Sequence, residues 1–485
     1  MALAAGRATP APPPGGIVPR AEARHAVERV LALAADLGVA FADVFVEETA
    51  HDELRYEDRR TEQARAGAEL GVGIRLVRDG RVAYTVASSL DPRVLLPLVA
   101  DAVAGLRLGA GPGVSPVTTT RRGCRAVERL CDQPLPELAH DQLIAELTRI
   151  DRYARAASPW IRRVDIQFLS HRRHVLVANS EGLCRAEPRR FSRVSVQAVA
   201  ARGDLIRTGV NNVARTLGEA ELFARYPAAA LGREVGAMAE TMLDAAAAPT
   251  GALPVVVGNG RGGVLVHEAC VHCLEADYVS RENSVYRGRL GEVVAQPQVT
   301  VIDDGTVPGQ AGTYAMDDEG NPARRNVLVA SGRLQSYLSD RTYAHVLGQP
   351  ATGSGRRQSH AFLPMPRMTN TFVAPGDDTP DEIVAATPRG VYARRVSGGQ
   401  VNPMTGEFVF TVNEGYLIEG GRLTRPLVPF TLTGNGPEVL RNIDRVGHDF
   451  DLAAAMCGKS GQMVPVSVGQ PTIRVREMVV GGTGR

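Results

Sequence analysis

At 485 residues the chain is too long for one ordinary hydrophobic core, and two large domains are the natural expectation. Hydrophobic residues make up 44% and charged residues 22%, the proportions of a globular protein rather than a disordered or fibrous one. A net charge of +2 gives no general affinity for nucleic acid or an anionic membrane surface.

Residues 1–19 are rich in Ala and Pro and lack an apolar stretch of the length a secretory signal needs, so they read as a disordered lead-in. No segment approaches roughly 18 uninterrupted apolar residues, which argues against a membrane span. The six cysteines (Cys124, Cys131, Cys184, Cys270, Cys273 and Cys457) are scattered, which suits reduced thiols in the cytoplasm that are available as metal ligands. The basic residues are almost all arginine, with Lys459 the only lysine.

Apolar spacing predicts a helix over Ala21–Gly38, with Ala26, Val27, Val30, Leu31 and Ala34 on one face. Strands follow at Val39–Glu48 and Gly71–Val77, and a turn at 78–81 leads into Val82–Val86. A second helix spans about Pro92–Leu106, a Gly/Pro-rich loop covers Gly109–Ser115, and a third helix runs over Glu137–Ala157. Two strands are expected on either side of His171–His174, then strands at Ser192–Ala201 and Leu205–Val213 and an Ala-rich helix at Leu231–Ala248. After one helix near 261–277 the pattern changes to short strands divided by Gly, Pro, Asn and Asp. These include Val299–Ile302, Val327–Ala330, Leu334–Leu338, Phe408–Val412 and Tyr416–Ile418, with a hairpin turn at 419–422. The fold class expected is therefore α+β. A mixed N-terminal α/β domain spans 20–247, and a large β-rich C-terminal domain with one functional helix spans 248–485.

That helix carries His267-Glu268-x-x-x-His272. Two neutral imidazoles and a neighbouring carboxylate supply two ligands and a base for a catalytic zinc. The spacing is one residue longer than HExxH, and in a regular α-helix positions i and i+5 diverge by about 140°. The pair converges only if the helix takes in one extra residue as a π-bulge. Two unrelated histidines are the competing reading of the motif. The overlapping Cys270-Val271-His272-Cys273 is a CxxC pair, yet it lies inside the helix and not at an N-terminus that would activate a thiol, so buried inert cysteines are expected.

The stretch from His267 to Asp277 resembles the HEAxGHxLExD motif of the TldD subunit in the TldD/TldE (PmbA) metallopeptidase family. Further matching blocks stand at 317–322 (AspAspGluGlyAsnPro), 353–358 (GlySerGlyArgArgGln) and 363–370 (LeuProMetProArgMetThrAsn). Others stand at 397–401, 457–462 (CysGlyLysSerGlyGln) and 468–472, so the resemblance runs from about Ala21 to Gly484. It implies that Cys457 is the third zinc ligand beside His267 and His272, with Glu268 as the catalytic base. It also implies hydrolysis of unfolded or modified peptides held extended against a β-edge, and a TldE/PmbA-like partner forming a heterodimer. Helix geometry agrees with a distant third ligand: Cys270 and Cys273 point roughly 160° and 100° away from His272. His360 and Arg357 lie in a matched block and are candidates for substrate contact or for a surface network. Glu275 and Asp277 are candidates for orienting the imidazoles, or for pairing with charges at the helix end. Val271 and Cys273 stand where the family has glycine, which suggests an altered pocket wall and a specialised role such as trimming a natural-product (antibiotic) intermediate. The rival classes are a non-catalytic interaction subunit and a thiol oxidoreductase using Cys270 and Cys273.

Overall fold

The computed structural model describes residues 20–108 and 138–482. The expected lead-in over 1–19, the Gly109–Ser115 loop, Cys124 and Cys131 lie outside the described residues. The architecture is α+β.

Helix α1 (Arg20–Asp36) leads into a hairpin of two long strands, β1 (Phe41–Glu57) and β2 (Arg60–Arg78), and then β3 (Arg81–Ala87) and α2 (Pro92–Leu108). Helix α3 (His140–Ala157) precedes β4 (Ile161–Asn179), β5 (Cys184–Arg202) and β6 (Leu205–Arg215), and α4 (Ala228–Thr241) follows. The six strands form one antiparallel sheet in the order β3-β2-β1-β4-β5-β6. Period-2 alternation sorts the residues of β1 onto its two faces. Ala42, Val44, Val46, Leu54 and Tyr56 are buried in the cores formed with the helices, whereas Asp43, Phe45 and Glu47 face the second half of the chain.

The second half contains two larger sheets. One has six strands, in the order Arg333–Leu334, Arg325–Ala330, Val301–Asp304, Asn370–Val373, Gln462–Gln470 and Asp451–Lys459. In the other, Arg389–Val401, Gly251–Val257, Ile473–Gly482, Phe430–Asn435 and Glu407–Glu419 pair in a closed ring, which removes free edges. The segment around His267 lies between these sheets: Leu265, Val266, Ala269, Cys270, Val271, Cys273 and Leu274 belong to one core with strands from both.

Between the halves runs a buried polar seam. Arg75 donates to Asp43 at 2.6 Å and to Glu319 at 2.7 Å, and Arg189 donates to Asp318 at 2.5 Å. Glu47 is paired with Arg173 and accepts from His360. Burial alone would raise the Glu47 carboxyl, but His360 and Arg173 pull it down to about 2.

Several expectations are corrected. His171–His174 do not divide two strands; they lie within β4, because Arg172 and Arg173 find carboxylate partners across the sheet in Asp52 and Glu47. Phe408–Val412 and Tyr416–Ile418 are one strand, and Gly415 inside it is a packing residue: a Cβ there would lie 2.5 Å from the Phe430 ring. Leu334–Leu338 shrinks to Arg333–Leu334, with Leu338 making an isolated bridge to Glu275. The Ala-rich helix begins at Ala228 and ends at Thr241, short of Ala248.

Candidate metal centre

The 261–277 segment is not a regular helix. A 3-10 turn (Gly260–Gly263) and one α-turn (Val264–Val266) lead into a π-turn over His267–Val271, then a 3-10 turn over His272–Leu274. The His272 N–H donates to the His267 carbonyl, five residues back, so the extra residue needed to bring the two histidines together is present. Their ring centroids lie 5.1 Å apart with planes at 85°. Val271 adopts φ −79°, ψ −29°, ordinary right-handed backbone, so this turn does not require glycine there. Val271 and Cys273 are buried in the core that surrounds the turn.

Two close approaches position the segment. A Cβ on Gly263 would lie 2.4 Å from the backbone of Gly469, which seats the segment's start directly on the Gln462–Gln470 strand. That strand pairs with Asp451–Lys459, in which Cys457 stands opposite Val464. Ser460 and Gly461, at φ 49° and 76°, make the two-residue turn between them. The fully buried Arg367 donates to the carbonyls of Cys457 (2.6 Å) and Gln462 (3.3 Å), pinning both strands of the hairpin.

The result brings Cys457 to His272 across 185 residues, with Sγ 3.4 Å from Nε2. Ligand atoms of His267, His272 and Cys457 all lie within 4.8 Å of one another, and all three residues are buried. Two nitrogens and a sulfur around a tetrahedral zinc would be separated by roughly 3.3–3.7 Å, so a small contraction of this set accommodates the ion. Burial alone would raise the Cys457 thiol, but the two imidazoles hold it well below the ordinary thiol range. Burial would lower the His272 imidazole, but Cys457 and Glu275 raise it well above its usual value. A thiolate facing imidazolium is the electrostatic pattern into which a cation fits in place of the proton.

Glu268 lies at the margin of this set. Its Oε2 is 3.4 Å from His272 Nε2, and its side chain is 23% exposed against 6% for His272. The carboxylate therefore reaches both the ligand cluster and solvent. Glu275 and Asp277 both accept from Lys459, but only Glu275 reaches a candidate ligand: its Oε2 accepts from His272 Nδ1 at 2.8 Å, fixing the ring so that Nε2 turns to the cluster.

Arg357 and His360 are engaged elsewhere, in the seam. The guanidinium of Arg357 is fully buried, lies 4.4 Å over the Phe45 ring and donates to Tyr84 Oη and the Asp318 carbonyl. His360 Nδ1 is 2.9 Å from Glu47. Both belong to a polar network, but one that is buried between the halves for Arg357 rather than lying at the surface as expected. Cys270 and Cys273 are also placed away from the ligand set. Burial pushes the Cys273 thiol up to about 12 and raises Cys270 well above its normal range, so both are protonated thiols and poor redox nucleophiles. Lys459 and Arg367 were given no role by the sequence, although the position of the sole lysine two residues after Cys457 was a readable signal.

Sequence models of the PmbA/TldA metallopeptidase match in three parts: domain 1 over 42–105, the central domain over 133–243 and the C-terminal domain over 250–482. A "Metalloprotease TldD homolog" of Haemophilus influenzae is 35% identical over 453 residues, 92% of this chain and 93% of its own. The chain belongs to the PmbA/TldD metallopeptidase family. A relative from Saccharolobus solfataricus named "Zinc metalloprotease TldD homolog" is 34% identical over 48% of this chain and 52% of its own. Among solved structures, TldE of Thermococcus kodakarensis superposes with a TM-score of 0.77 at 19% identity, covering 94% of this chain and all of that one. That likeness is one of fold. Within the PmbA/TldD family this chain has a His/His/Cys group able to hold a metal ion. Among the described residues no helix is long and apolar enough to cross a membrane.

Proposed function

We propose that this chain is the catalytic subunit of a zinc-dependent peptidase that hydrolyses amide bonds in unfolded, modified or peptide-like substrates. The observation that carries the reading is the meeting of His267, His272 and Cys457 beside a partly exposed Glu268. When bound, zinc supplies Lewis acidity, acidifying water and polarising a carbonyl. The protein's own groups do the rest. Glu268 takes a proton from the attacking water as the new C–O bond forms, and returns it to the amine as the C–N bond breaks. Glu275 holds the His272 ring by its Nδ1 proton.

A route for the peptide lies along the Asp451–Lys459 strand, which ends its sheet. Antiparallel alternation, counted from the Lys459–Gln462 pair at the turn, aims the backbone groups of Met456 and Gly458 away from the neighbouring strand. Both flank Cys457 and are exposed, so an extended peptide pairing there runs past the metal site with loose sequence preference. A narrower form of this reading, a natural-product (antibiotic) intermediate as substrate, is suggested by Val271 and Cys273 standing where the family motif has glycine. Cys270, Cys273 and Cys457 are free thiols, in keeping with the cytoplasmic setting proposed for the chain.

Zinc content and peptide turnover of three single variants test the site. Cys457→Ala is expected to lose zinc and activity sharply, and Cys270→Ala and Cys273→Ala to retain zinc. Zinc kept without Cys457 but lost without Cys270 or Cys273 would overturn the assignment. A wild-type chain that assembles with a partner but holds no zinc would instead be the interaction subunit.

A further inference from the structure

Lys459 is the only lysine among 55 lysine and arginine residues, and its side chain is 2% exposed. Its ammonium makes three hydrogen bonds, the full capacity of the group. They reach Glu275 Oε2 at 2.9 Å, Asp277 Oδ1 at 2.7 Å and the Pro366 carbonyl at 3.1 Å. The Tyr278 ring stands beside it, its centroid 4.5 Å from Nζ. Three acceptors around one point suit a compact ammonium; the planar fork of arginine, used at every other basic position in this chain, does not converge on such a set.

The oxygen that Lys459 holds is the one that matters to the metal site. Glu275 Oε2 also accepts from His272 Nδ1, while Glu275 Oε1 has no partner. One fully buried carboxylate oxygen is thus shared between a lysine and a candidate ligand. Lys459 also lies two residues beyond Cys457 on the same strand, so the period of two puts both side chains on one face. When that strand seats, it delivers the third ligand and the cation that steadies the second.

We propose that Lys459 is a positioning residue for the metal site. It pins the Glu275 carboxylate where that group holds His272 with Nε2 toward the ion, and so governs how firmly the ion is kept. This rests on the zinc reading above. Removing the ammonium leaves a buried carboxylate without its counter-charge and free to shift, and outer partners of ligand histidines influence metal affinity strongly.

The test measures zinc transfer from the full-length holoprotein to a chromophoric chelator, for wild type, Lys459→Met, Glu275→Gln and the double variant. Lys459→Met is expected to release zinc on the order of 10–100 times faster than wild type. In the Glu275→Gln background the same change is expected to add less than about threefold, because Lys459 acts through that carboxylate. NMR of the zinc form, with labelled histidine, supplies a signature that a merely structural role would leave alone. The His272 Nδ1 proton is expected to exchange slowly with water in wild type and rapidly in Lys459→Met. Where Lys459→Met fails to fold, Lys459→Arg, which keeps a charge beside Glu275 and Asp277 but not the three converging bonds, takes its place with the same expected and overturning outcomes. Equal release from wild type and Lys459→Met, or a full lysine effect without the Glu275 charge, would overturn the proposal while leaving the zinc site standing. A wild-type protein that binds no zinc would sink both.

Discussion

Glu268 differs from its neighbours in solvent access: it lies beside two buried imidazoles, yet keeps 23% of its side chain in solvent. A ligand gains from burial, which strengthens its attraction to the ion, whereas a base must reach water and change its protonation during turnover. Glu268→Gln is therefore expected to keep zinc at wild-type stoichiometry and to lower turnover by roughly 100-fold or more, the usual scale for a general base. A variant cleaving at the wild-type rate would remove Glu268 from the mechanism. His267, Glu268 and His272 were legible in the sequence because they lie within six consecutive positions, where helix geometry alone limits their arrangement. Cys457 entered through family resemblance and its identity as a thiol. Arg367 was not legible as part of the site, since nothing in a local pattern says which carbonyls a buried guanidinium will clamp.

At the scale of the element, the spacing of the two histidines demanded one extra residue in the turn, and the structure contains the π-turn that provides it. Such a turn is held from outside, because its hydrogen-bond geometry is poorer than that of an α-helix. Gly436, at the start of the short helix Gly436–Asn442, presses on it: a Cβ there would lie 1.8 Å from the Ala269 carbonyl. Backbone, not a flexible side chain, is in the way. Gly436→Ala is accordingly expected to cost about 1–3 kcal/mol of unfolding free energy and to weaken zinc retention, since the strain falls on the turn between the two histidines. Denaturant melts and chelator release would show this, and an unchanged protein would mean that the turn tolerates displacement. Val271 stands in right-handed backbone, so the close approach that needs a glycine falls on Gly436.

At the scale of the molecule, the antiparallel sheet of the first half presents one face to its own helices and the other to the second half, where buried Arg75 and Arg357 and partly buried Arg189 lie among carboxylates and carbonyls. The two halves are thereby held against each other by paired charges, costly to separate singly. Strands β3 and β6 end the sheet and expose Val82, Val86, Ile206 and Val210, an arrangement that isolated proteins usually avoid. The family resemblance implies a TldE/PmbA-like partner subunit. Mixing the purified chain with such a subunit is expected to raise peptide turnover well above that of the chain alone. Full activity from a preparation homogeneous in this chain would count against the two-subunit design.

What the sequence determined by itself is local: the α+β alternation, the long helices, the unusual spacing of His267 and His272, and the polar character of the blocks at 317–322 and 353–358. Those features depend on backbone periodicity and on residues within a turn or two of each other. Tertiary structure decided the rest. It joined Phe408–Val412 to Tyr416–Ile418 because Gly415 makes room for Phe430, and it turned Arg357 and His360 into the seam because carboxylates and Phe45 await them there. It also set Lys459 on Glu275. The pairing of Cys457 with His272 depends on a strand register that seats Gly469 under Gly263, a contact between segments some 200 residues apart whose geometry no local pattern records.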